Sequence, residues 1–382
     1  MRWAPLPTTL ARVTSLRLPL LEPHRAALET CVYCPKLSRA ACPVSNAEAS
    51  ETVTPWGKMS MAYFAARGDV PVDAVHAAPA WACTGCFACR EACDHKNEVA
   101  PALMDARAEM MRLDAAPPAA KAVVDRWPER QIALAAAVAA LDSEMKTEAA
   151  GAVSTGREPA AVLVGCGYVE RSPGVAKDAL RAAAFLLDRP VRPVRACCGL
   201  PLLYAGDRDG FADAVVLLAR EVASAPAFVA IDPGCARALL VEAPRVGVEV
   251  SKPEIFVDLA ARSLDRLRPL ANMEAVRYHD PCQLGRGLGR YDEPRAILAR
   301  ITGAAPERFL RERAQGECSG AGGLLPATRP ESSRAIADAR IAEHRERGGG
   351  TLVTACASSL HRFRTRGEAA EDLVSLVARA MP

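Results

Sequence analysis

Short apolar runs alternate with amphipathic segments in the part of the chain that follows residue 158. Four runs have the length and composition of buried strands: AAVLVGC (160–166), AFVAIDPGC (227–235), AVRYHDPC (275–282) and GTLVTAC (350–356). A further extended segment, RPVRPVRACCG, is predicted at 189–199. The segments between them show helical spacing: 175–189, 209–224, 293–303 and 332–347. Strands and helices that alternate in this way predict α/β units with parallel sheets.

The preceding part of the chain has a different pattern. Residues 101–157 show helical periodicity and end in the small, polar stretch TEAAGAVSTGREP, which predicts a linker. Five regions follow from these patterns: an N-terminal tail (1–27), a helical domain (28–148), a linker (149–157), a first α/β module (158–269) and a second α/β module (270–382).

The cysteine positions indicate that the two modules are an internal duplication. The interval from Cys198 to Cys235 is 37 positions, and the interval from Ser319 to Cys356 is the same. Most of these cysteines fall at the ends of predicted strands, where open α/β sheets bind ligands. The alternative is that they are buried as small hydrophobic residues.

Composition limits the classes of function. The chain has 382 residues, a formal charge of +3 and 50% hydrophobic residues, enough for two or three domains. Its arginines are scattered, which argues against nucleic-acid binding. The apolar run 132–141 is too short to span a bilayer, and residues 1–25 lack the apolar core of a signal peptide. Fourteen cysteines without an export signal predict a cytoplasmic protein with metal-binding thiols.

Four cysteines are crowded into eleven residues. Cys83, Cys86, Cys89 and Cys93 have the spacing C-x2-C-x2-C-x3-C, which predicts a soft metal centre. Structural zinc is the alternative, but it commonly uses two separate C-x2-C pairs, so the overlapping steps favour iron–sulfur. The nearby His95 is interpreted as a solvated side chain.

Beyond residue 158, the repeated C…CCG…C pattern, HDPCQLGRG and CSGAGG resemble the cysteine-rich CCG-domain proteins. These include heterodisulfide reductase subunits and the iron–sulfur subunits of glycolate oxidase, lactate oxidase and anaerobic glycerol-3-phosphate dehydrogenase. The resemblance covers roughly residues 28–365. It implies an α plus α/β fold, with a helical two-cluster ferredoxin-like domain followed by two duplicated α/β CCG modules.

The resemblance also implies two clusters in the helical domain. One [4Fe-4S] cluster is expected on Cys83, Cys86, Cys89 and Cys42. The reciprocal cluster is expected on Cys31, Cys34 and Cys93, which leaves it one thiolate short. Ser38 stands one residue away from the compact ligand spacing. We therefore expect a [3Fe-4S] cluster here, or a [4Fe-4S] cluster with one labile iron.

The two modules depart from the family pattern to different degrees. In the first, Cys166, Cys197, Cys198 and Cys235 suffice for one cluster, although Asp232 and Ala238 occupy the places that could have completed a C-x2-C pair. The second has only Cys282, Cys318 and Cys356. Ser319 and Ser359 stand beside them, and a neutral hydroxyl is a poor cluster ligand. The second module is expected to be vacant or structural. His279 is expected to orient its loop.

The chain has no complete dinucleotide-binding fingerprint, no phosphate-binding loop and no G-x-S-x-G elbow, so FAD and NAD are not expected in it. The resemblance implies an electron-transfer subunit that passes electrons from a flavoprotein dehydrogenase, acting on a 2-hydroxy acid or glycerol 3-phosphate, to a quinone. A partner or a membrane anchor subunit would hold it at the inner face of the membrane. Two alternatives are a heterodisulfide-reductase-like enzyme and a structural homologue that has lost clusters.

Overall fold

The computed structural model describes residues 15–34, 37–148, 157–271 and 273–382. Helices fill the first part of the chain, and two small parallel sheets with flanking helices follow. This mixture agrees with the predicted α plus α/β class. Residues 1–14 of the predicted tail and 149–156 of the predicted linker lie outside the described residues. No helix in the described ranges is both long enough and apolar enough to cross a membrane.

Eight α-helices precede the first strand in the described part of the chain: α1 Arg25–Val32, α2 Pro43–Glu48, α3 Pro55–Arg67, α4 Ala74–Ala77, α5 Ala88–Glu91, α6 Val99–Arg112, α7 Pro118–Asp125 and α8 Trp127–Glu148. The start of α3 shows why the sequence begins a helix there. The hydroxyl of Thr54 accepts a hydrogen bond from the amide of Gly57 at 3.0 Å, and Pro55 occupies the first turn. Gly68, with φ of 82°, ends the helix.

The N-terminal helices enclose a core of their own. Leu28 of α1, Met59 of α3, and Leu103 and Met110 of α6 are buried in it together with Trp81. Burial of large apolar side chains is the main source of stability for such a bundle. The packed helices therefore provide a rigid support for the cysteine-bearing loop that runs between Trp81 and α6.

The long helix α8 packs elsewhere. Its buried residues Leu134, Val138 and Leu141 belong to the core of the α/β region and not to the N-terminal core. The helical periodicity of this segment is confirmed, but its packing partner is not visible in the sequence. One consequence is that α8 covers the cysteines of the first sheet.

The first sheet is parallel. It consists of β1 Ala160–Leu163, β2 Val191–Pro193, β3 Phe228–Ala230 and β4 Glu254–Ile255, in the order β2-β1-β3-β4. All residues of β1 and β3 are buried, which explains their continuous apolar runs. The connecting and following helices are α9 Cys166–Arg171, α10 Pro173–Leu187, α11 Leu200–Ala205, α12 Arg208–Val222, α13 Pro233–Arg237, α14 Ala243–Arg245 and α15 Phe256–Ala261.

The second sheet is also parallel and contains β5 Val276–Tyr278, β6 Thr351–Thr354 and β7 Ala370–Asp372, in that order. An isolated parallel bridge joins Arg277 of β5 to Glu307 on the side away from β6. The helices of this part are α16 Gly285–Leu288, α17 Asp292–Thr302, α18 Leu325–Thr328, α19 Pro330–Glu346, α20 Ala357–Thr365 and α21 Leu373–Arg379. The strands and helices predicted here from periodicity are confirmed.

The two sheets share one hydrophobic core, and buried polar contacts join them. The hydroxyl of Tyr168 donates to Asp372 Oδ2 at 2.7 Å, and the amide of Ala357 donates to Asp232 Oδ2 at 3.0 Å. Asp232 Oδ1 also accepts from the amides of Gly234 and Cys235, so this carboxylate caps α13. Asp232 therefore has a structural role in both modules.

Candidate iron–sulfur centres

The four cysteines predicted to hold the first [4Fe-4S] cluster come together in the structure. Cys42 precedes α2, Cys83 and Cys86 lie in an irregular loop, and Cys89 lies in α5. Gly85 and Phe87, with φ of 66° and 62°, give that loop its left-handed turns. Burial raises the pKa of Cys89 well above its ordinary value, and the thiolates of its three partners raise it further. That mutual influence shows that the four sulfur atoms share one buried environment.

A buried lysine faces this group, and no sequence pattern predicts it. Lys58 of α3 is 2% exposed, and its Nζ donates to Cys42 Sγ at 3.3 Å. Burial lowers the pKa of Lys58, but the thiolates of Cys42 and Cys83 raise it more, so the net shift is upward. A buried ammonium requires nearby negative charge. This donor set therefore fits a cluster whose thiolate ligands carry net negative charge.

Donors from the chain also surround the sulfur atoms. The amide of Gly85 donates to Cys83 Sγ at 3.4 Å. The Thr84 hydroxyl and the Ala88 amide lie beside Cys86. Such donors favour the thiolate form, which is the form that binds metal.

Arg107 of α6 holds the loop in position. Its guanidinium, 2% exposed, donates to the carbonyls of Ala80 and Cys83, at 3.0 and 2.7 Å. It also donates to the carbonyls of Tyr204 and Gly323, at 2.9 and 3.1 Å. A single side chain thus joins the cysteine loop to both α/β regions.

The second module lies directly against this cysteine loop. The side chain of Gln283 donates to the carbonyl of Gly85 at 3.0 Å, and Nε of Arg286 donates to the carbonyl of Cys86 at 2.5 Å. Cys86 and Cys318 lie in one buried cluster, and the Cys318 thiol lowers the pKa of Cys86 well below its ordinary value. Cys282 also lies beside Cys86. Sequence spacing alone groups these second-module cysteines into a separate site.

The other N-terminal set is also assembled. Cys31 lies beside Cys34 and Cys93, and burial raises its pKa to about 11. The amide of Asn97 donates to Cys31 Sγ at 2.9 Å, a contact that the sequence does not reveal. Residues 35 and 36, between Cys34 and the predicted Ser38 position, lie outside the described residues. Ser38 itself is half-buried at the start of the turn Arg39–Ala41, and its part in binding stays a prediction.

The cysteines of the first module meet beyond the carboxyl ends of the strands, as predicted. Cys198 Sγ lies 3.3 Å from Cys235 Sγ, and Cys166 and Cys197 line the same small cavity. Although the bond from Cys198 lowers the pKa of Cys235, burial raises it to about 12. A Cβ atom at Gly165, whose φ is 101°, would lie 2.9 Å from Asp232 Cβ, so a side chain would be strained there.

Helix α8 completes this site. Leu134 and Val138 line it opposite Cys166 and Cys197. The guanidinium of Arg130 lies close to Cys166. Burial lowers the pKa of Arg130, but the Cys166 thiolate raises it more. This set therefore has four thiols, three of them on buried residues, and a nearby cation, a donor set that fits an anionic cluster. The sequence predicts neither Arg130 nor α8 as part of this first-module site.

The cysteines of the second module lie toward the N-terminal cysteine loop. Cys318 and Cys282 lie beside Cys86, and burial, then Asp232 and Cys282, raise the pKa of Cys356. The hydroxyl groups of Ser319 and Ser359 hydrogen-bond to each other at 2.8 Å. Two positions that could have carried ligands are thus paired with one another.

The histidines do not take part in these sets. His95 is exposed. His279 is 1% exposed, accepts from Arg340 Nε at 3.4 Å and packs edge-on against Phe363. Burial lowers the pKa of His279 well below its ordinary value. In the described residues, no three histidine, cysteine, aspartate or glutamate side chains converge on a single-ion site; ligands of an iron–sulfur cluster instead surround a group of several atoms.

Comparison with known protein families agrees with this geometry. A 4Fe-4S dicluster domain matches residues 27–97, which include both N-terminal cysteine sets. A cysteine-rich domain, CCG, matches residues 276–363, which include most of the second sheet. The chain carries a 4Fe-4S dicluster domain and a cysteine-rich CCG domain. The predicted resemblance is confirmed.

Curated relatives are iron–sulfur proteins or components of oxidoreductases. One component of the fumarate reductase (CoM/CoB) of Methanothermobacter marburgensis is 32% identical over 210 residues, 53% of this chain and 42% of the relative. One component of the dihydromethanophenazine:CoB–CoM heterodisulfide reductase of Methanosarcina barkeri is 27% identical over 205 residues, 48% of this chain and 49% of the relative. A probable iron–sulfur-binding oxidoreductase, FadF, of Bacillus subtilis is 32% identical over 152 residues, 38% of this chain and 21% of the relative. The chain thus spans less than half the length of each. The names of these relatives agree with the predicted oxidoreductase class.

Proposed function

We propose that this chain is an iron–sulfur electron-transfer subunit that takes electrons from a partner flavoprotein dehydrogenase and delivers them to a quinone or similar acceptor. The observation that carries the proposal is Lys58, a buried ammonium directed at Cys42 and surrounded by the thiolates of the predicted [4Fe-4S] site. An iron–sulfur cluster, when bound, stores and releases electrons at a potential that its surroundings set.

The proposed ligand sets are those that lie together. Cys42, Cys83, Cys86 and Cys89 would hold one [4Fe-4S] cluster, and Cys31, Cys34 and Cys93 would hold an incomplete one. Cys166, Cys197, Cys198 and Cys235 would hold a third. In the first two sets the chain supplies Lys58 and Asn97 as donors to sulfur, and in the third it supplies Arg130 as a nearby cation. We propose that the second module has no cluster of its own.

We also propose that the two α/β modules are copies of one unit. In each, the first strand lies between two parallel neighbours: β2 and β3 for β1, and Glu307 and β6 for β5. The last strand of each sheet then pairs with the strand beside it: β4 with β3, and β7 with β6. The cysteine intervals of 37 positions support the same relation.

Disulfide reduction is the second candidate, because one relative is named as part of a heterodisulfide reductase. Asp232 argues against it here. It stands where a further thiol could have completed a C-x2-C pair, and its carboxylate is engaged by the amides of Gly234, Cys235 and Ala357. Substrate chemistry is therefore proposed to reside in the flavoprotein partner, with any membrane contact made through a partner as well.

The test is anaerobic reconstitution of the full chain, followed by iron and sulfide analysis, EPR, and stopped-flow mixing with candidate reduced flavoproteins. We expect three clusters and rapid oxidation of a flavoprotein by the reconstituted chain. A chain that binds no iron would contradict the proposal, as would clusters that reduce a disulfide substrate faster than they oxidise any flavoprotein.

A further inference from the structure

Helix α9 of the first module and helix α20 of the second module pack against each other. Helix α9 follows β1 and begins at Cys166, and α20 follows β6. A Cβ atom at Gly167 would lie 2.9 Å from the Cβ of Ala357, so the first turns of the two helices are in direct contact. One turn further along each helix stand Arg171 and His361. Burial, and then the charge of Arg171, lowers the pKa of His361, in agreement with that arrangement.

An ion pair joins the end of α20 to α19. Nε and Nη2 of Arg366 donate to the two carboxylate oxygens of Asp338, at 2.6 and 2.8 Å. One turn earlier on each helix stand Arg362 and Arg334. Burial lowers the pKa of Arg362, and so do three neighbouring arginines, Arg334, Arg366 and Arg171. The three helices thus bring together Arg171, Arg334 and Arg362, which we call the arginine patch.

The chain does not neutralise the arginine patch. Within the part of the chain that the structure describes, none of its three guanidinium groups forms an ion pair or donates a hydrogen bond. Arg171 and Arg334 are exposed, whereas Arg362 is half-buried and its Nε is shielded from water without an acceptor. The neighbouring carboxylate of Asp338 is already engaged by Arg366. The arginine patch is therefore complementary to carboxylates of another molecule.

The arginine patch also lies near the first-module cysteines. Arg171 follows Cys166 by five residues on one helix, a rise of about 8 Å along its axis. Among the described residues, none of the exposed large apolar side chains lies on α9, α19 or α20. Binding to a bilayer surface needs such side chains or a larger basic cluster. The surface is therefore suited to the acidic face of a protein.

We propose that the arginine patch is the docking surface for an acidic face of the flavoprotein partner, next to the first-module centre. This inference rests on the proposed function. Opposite charges on two proteins increase the rate at which they meet and orient them on contact. In the docked complex, one electron passes from the reduced flavin of the partner to the cluster of the first module. The flavin is oxidised, the cluster is reduced, and no covalent bond forms or breaks.

The experiment compares the reconstituted full chain with a patch variant that combines Arg171→Gln, Arg334→Gln and Arg362→Gln. Fluorescence anisotropy of a labelled peptide of ten glutamates measures binding without electron transfer. Stopped-flow mixing, at low and high salt, measures oxidation of the flavoprotein that the wild-type chain oxidises fastest. The patch variant should keep its iron, bind the peptide about tenfold more weakly and react about tenfold more slowly at low salt. The two rates should converge at high salt, because salt screens exposed charges.

A control variant loses the same net charge at three exposed arginines elsewhere: Arg126→Gln, Arg220→Gln and Arg268→Gln. It should behave as the wild type in both measurements. If the patch variant does not fold, the double variant Arg171→Gln with Arg334→Gln replaces it, because both positions are exposed. The double variant should show the same effects at a smaller size.

Four outcomes would overturn the proposal. Equal losses in the patch variant and the control variant would make net charge, and not the arginine patch, the cause. A flavoprotein rate that the patch variant keeps, whatever its affinity for the peptide, would remove the docking role and leave the proposed function intact. Binding to phosphatidylserine vesicles that only the patch variant loses, with the flavoprotein rate kept, would assign the arginine patch to a membrane. A wild-type chain that oxidises no flavoprotein would overturn the proposed function and this inference together.

Discussion

Lys58 donates a hydrogen bond from its Nζ to the Sγ of Cys42 at 3.3 Å, from a position that is almost fully shielded from water. A lysine in this setting is costly unless anionic groups compensate it. The four-cysteine set supplies that compensation, and the lysine in turn offsets the mutual repulsion of the thiolates. The relationship couples the charge of the site to the packing of α3.

Lys58→Met removes the charge of the side chain and keeps its length. It should make the cluster at this centre less stable. Without the cation, the reduced state loses more stabilisation than the oxidised state, so the potential should become more negative and the cluster more labile. Hydrogen bonds to charged groups contribute about 1.5–3 kcal/mol, which sets the scale of the loss. A redox titration and the rate of iron release to a chelator measure the two effects. Lys96→Met, an exposed lysine beyond the same loop, is the control, and identical results for both variants would contradict the role of Lys58.

Cys198→Ala should abolish the EPR signal of the first-module cluster and remove its share of iron. The reason is that Cys198 lies within the assembled set, 3.3 Å from Cys235. Cys356→Ala serves as the matched control, since Cys356 is a buried cysteine at the end of a strand in the second module. Equal losses from both variants would instead indicate a cluster in each module or one shared between them.

Ser38→Cys should convert the incomplete N-terminal centre into a complete four-iron centre. The added thiolate would supply the missing ligand, raise the iron content and replace an oxidised three-iron signal with that of a reducible four-iron cluster. EPR and iron analysis before and after dithionite reduction measure the change. Unaltered iron and an unaltered spectrum would mean that Ser38 does not face the site.

The carboxyl group of Asp372 predicts a pH dependence of stability. Burial raises the pKa of Asp372 from 3.8 to about 7, more than the hydrogen bonds from Val374 and Tyr168 lower it. The folded chain therefore holds a proton that the unfolded chain releases near pH 4. The contribution of Asp372 to the free energy of unfolding is fully present below pH 4. It falls by at most about 4 kcal/mol as the pH rises to about 7.

The corresponding experiment compares thermal midpoints of wild type and Asp372→Asn between pH 5 and 8. The midpoint of the wild type should fall relative to that of the variant as pH rises toward 7, and the difference should then level off. Asp213→Asn, on an exposed part of α12, controls for the loss of a carboxylate in general. Parallel pH profiles for wild type and Asp372→Asn would show that Asp372 is ionised throughout.

The features that the sequence predicts are those that short stretches of the chain encode. The strands near 160, 227, 275 and 350 follow from short apolar runs, and the cysteine sets follow from spacing. The sequence does not single out Lys58, because one lysine in a helical segment has no periodic signal that distinguishes a buried from an exposed position. The proximity of Cys86 to Cys318 depends on how two domains dock, and no local pattern encodes docking.

The packing of α8 illustrates the same limit. Its alanine-rich sequence predicts a helix, but alanine surfaces are too uniform to specify which core the helix joins. Only the structure assigns Leu134 and Val138 to the cysteines of the first module.

The hydrogen bond from Arg107 to Gly323 joins parts of the chain that are synthesised at different times. Gly323 follows Arg107 by 216 positions, so the cysteine loop emerges from the ribosome long before its cover is made. A chain synthesised from its N-terminus exposes Cys83 and Cys86 to the cell's iron–sulfur delivery proteins during that interval. During that interval Gly322 and Gly323, which pack on the backbone of the loop in the folded chain, are not yet present to restrict access to it.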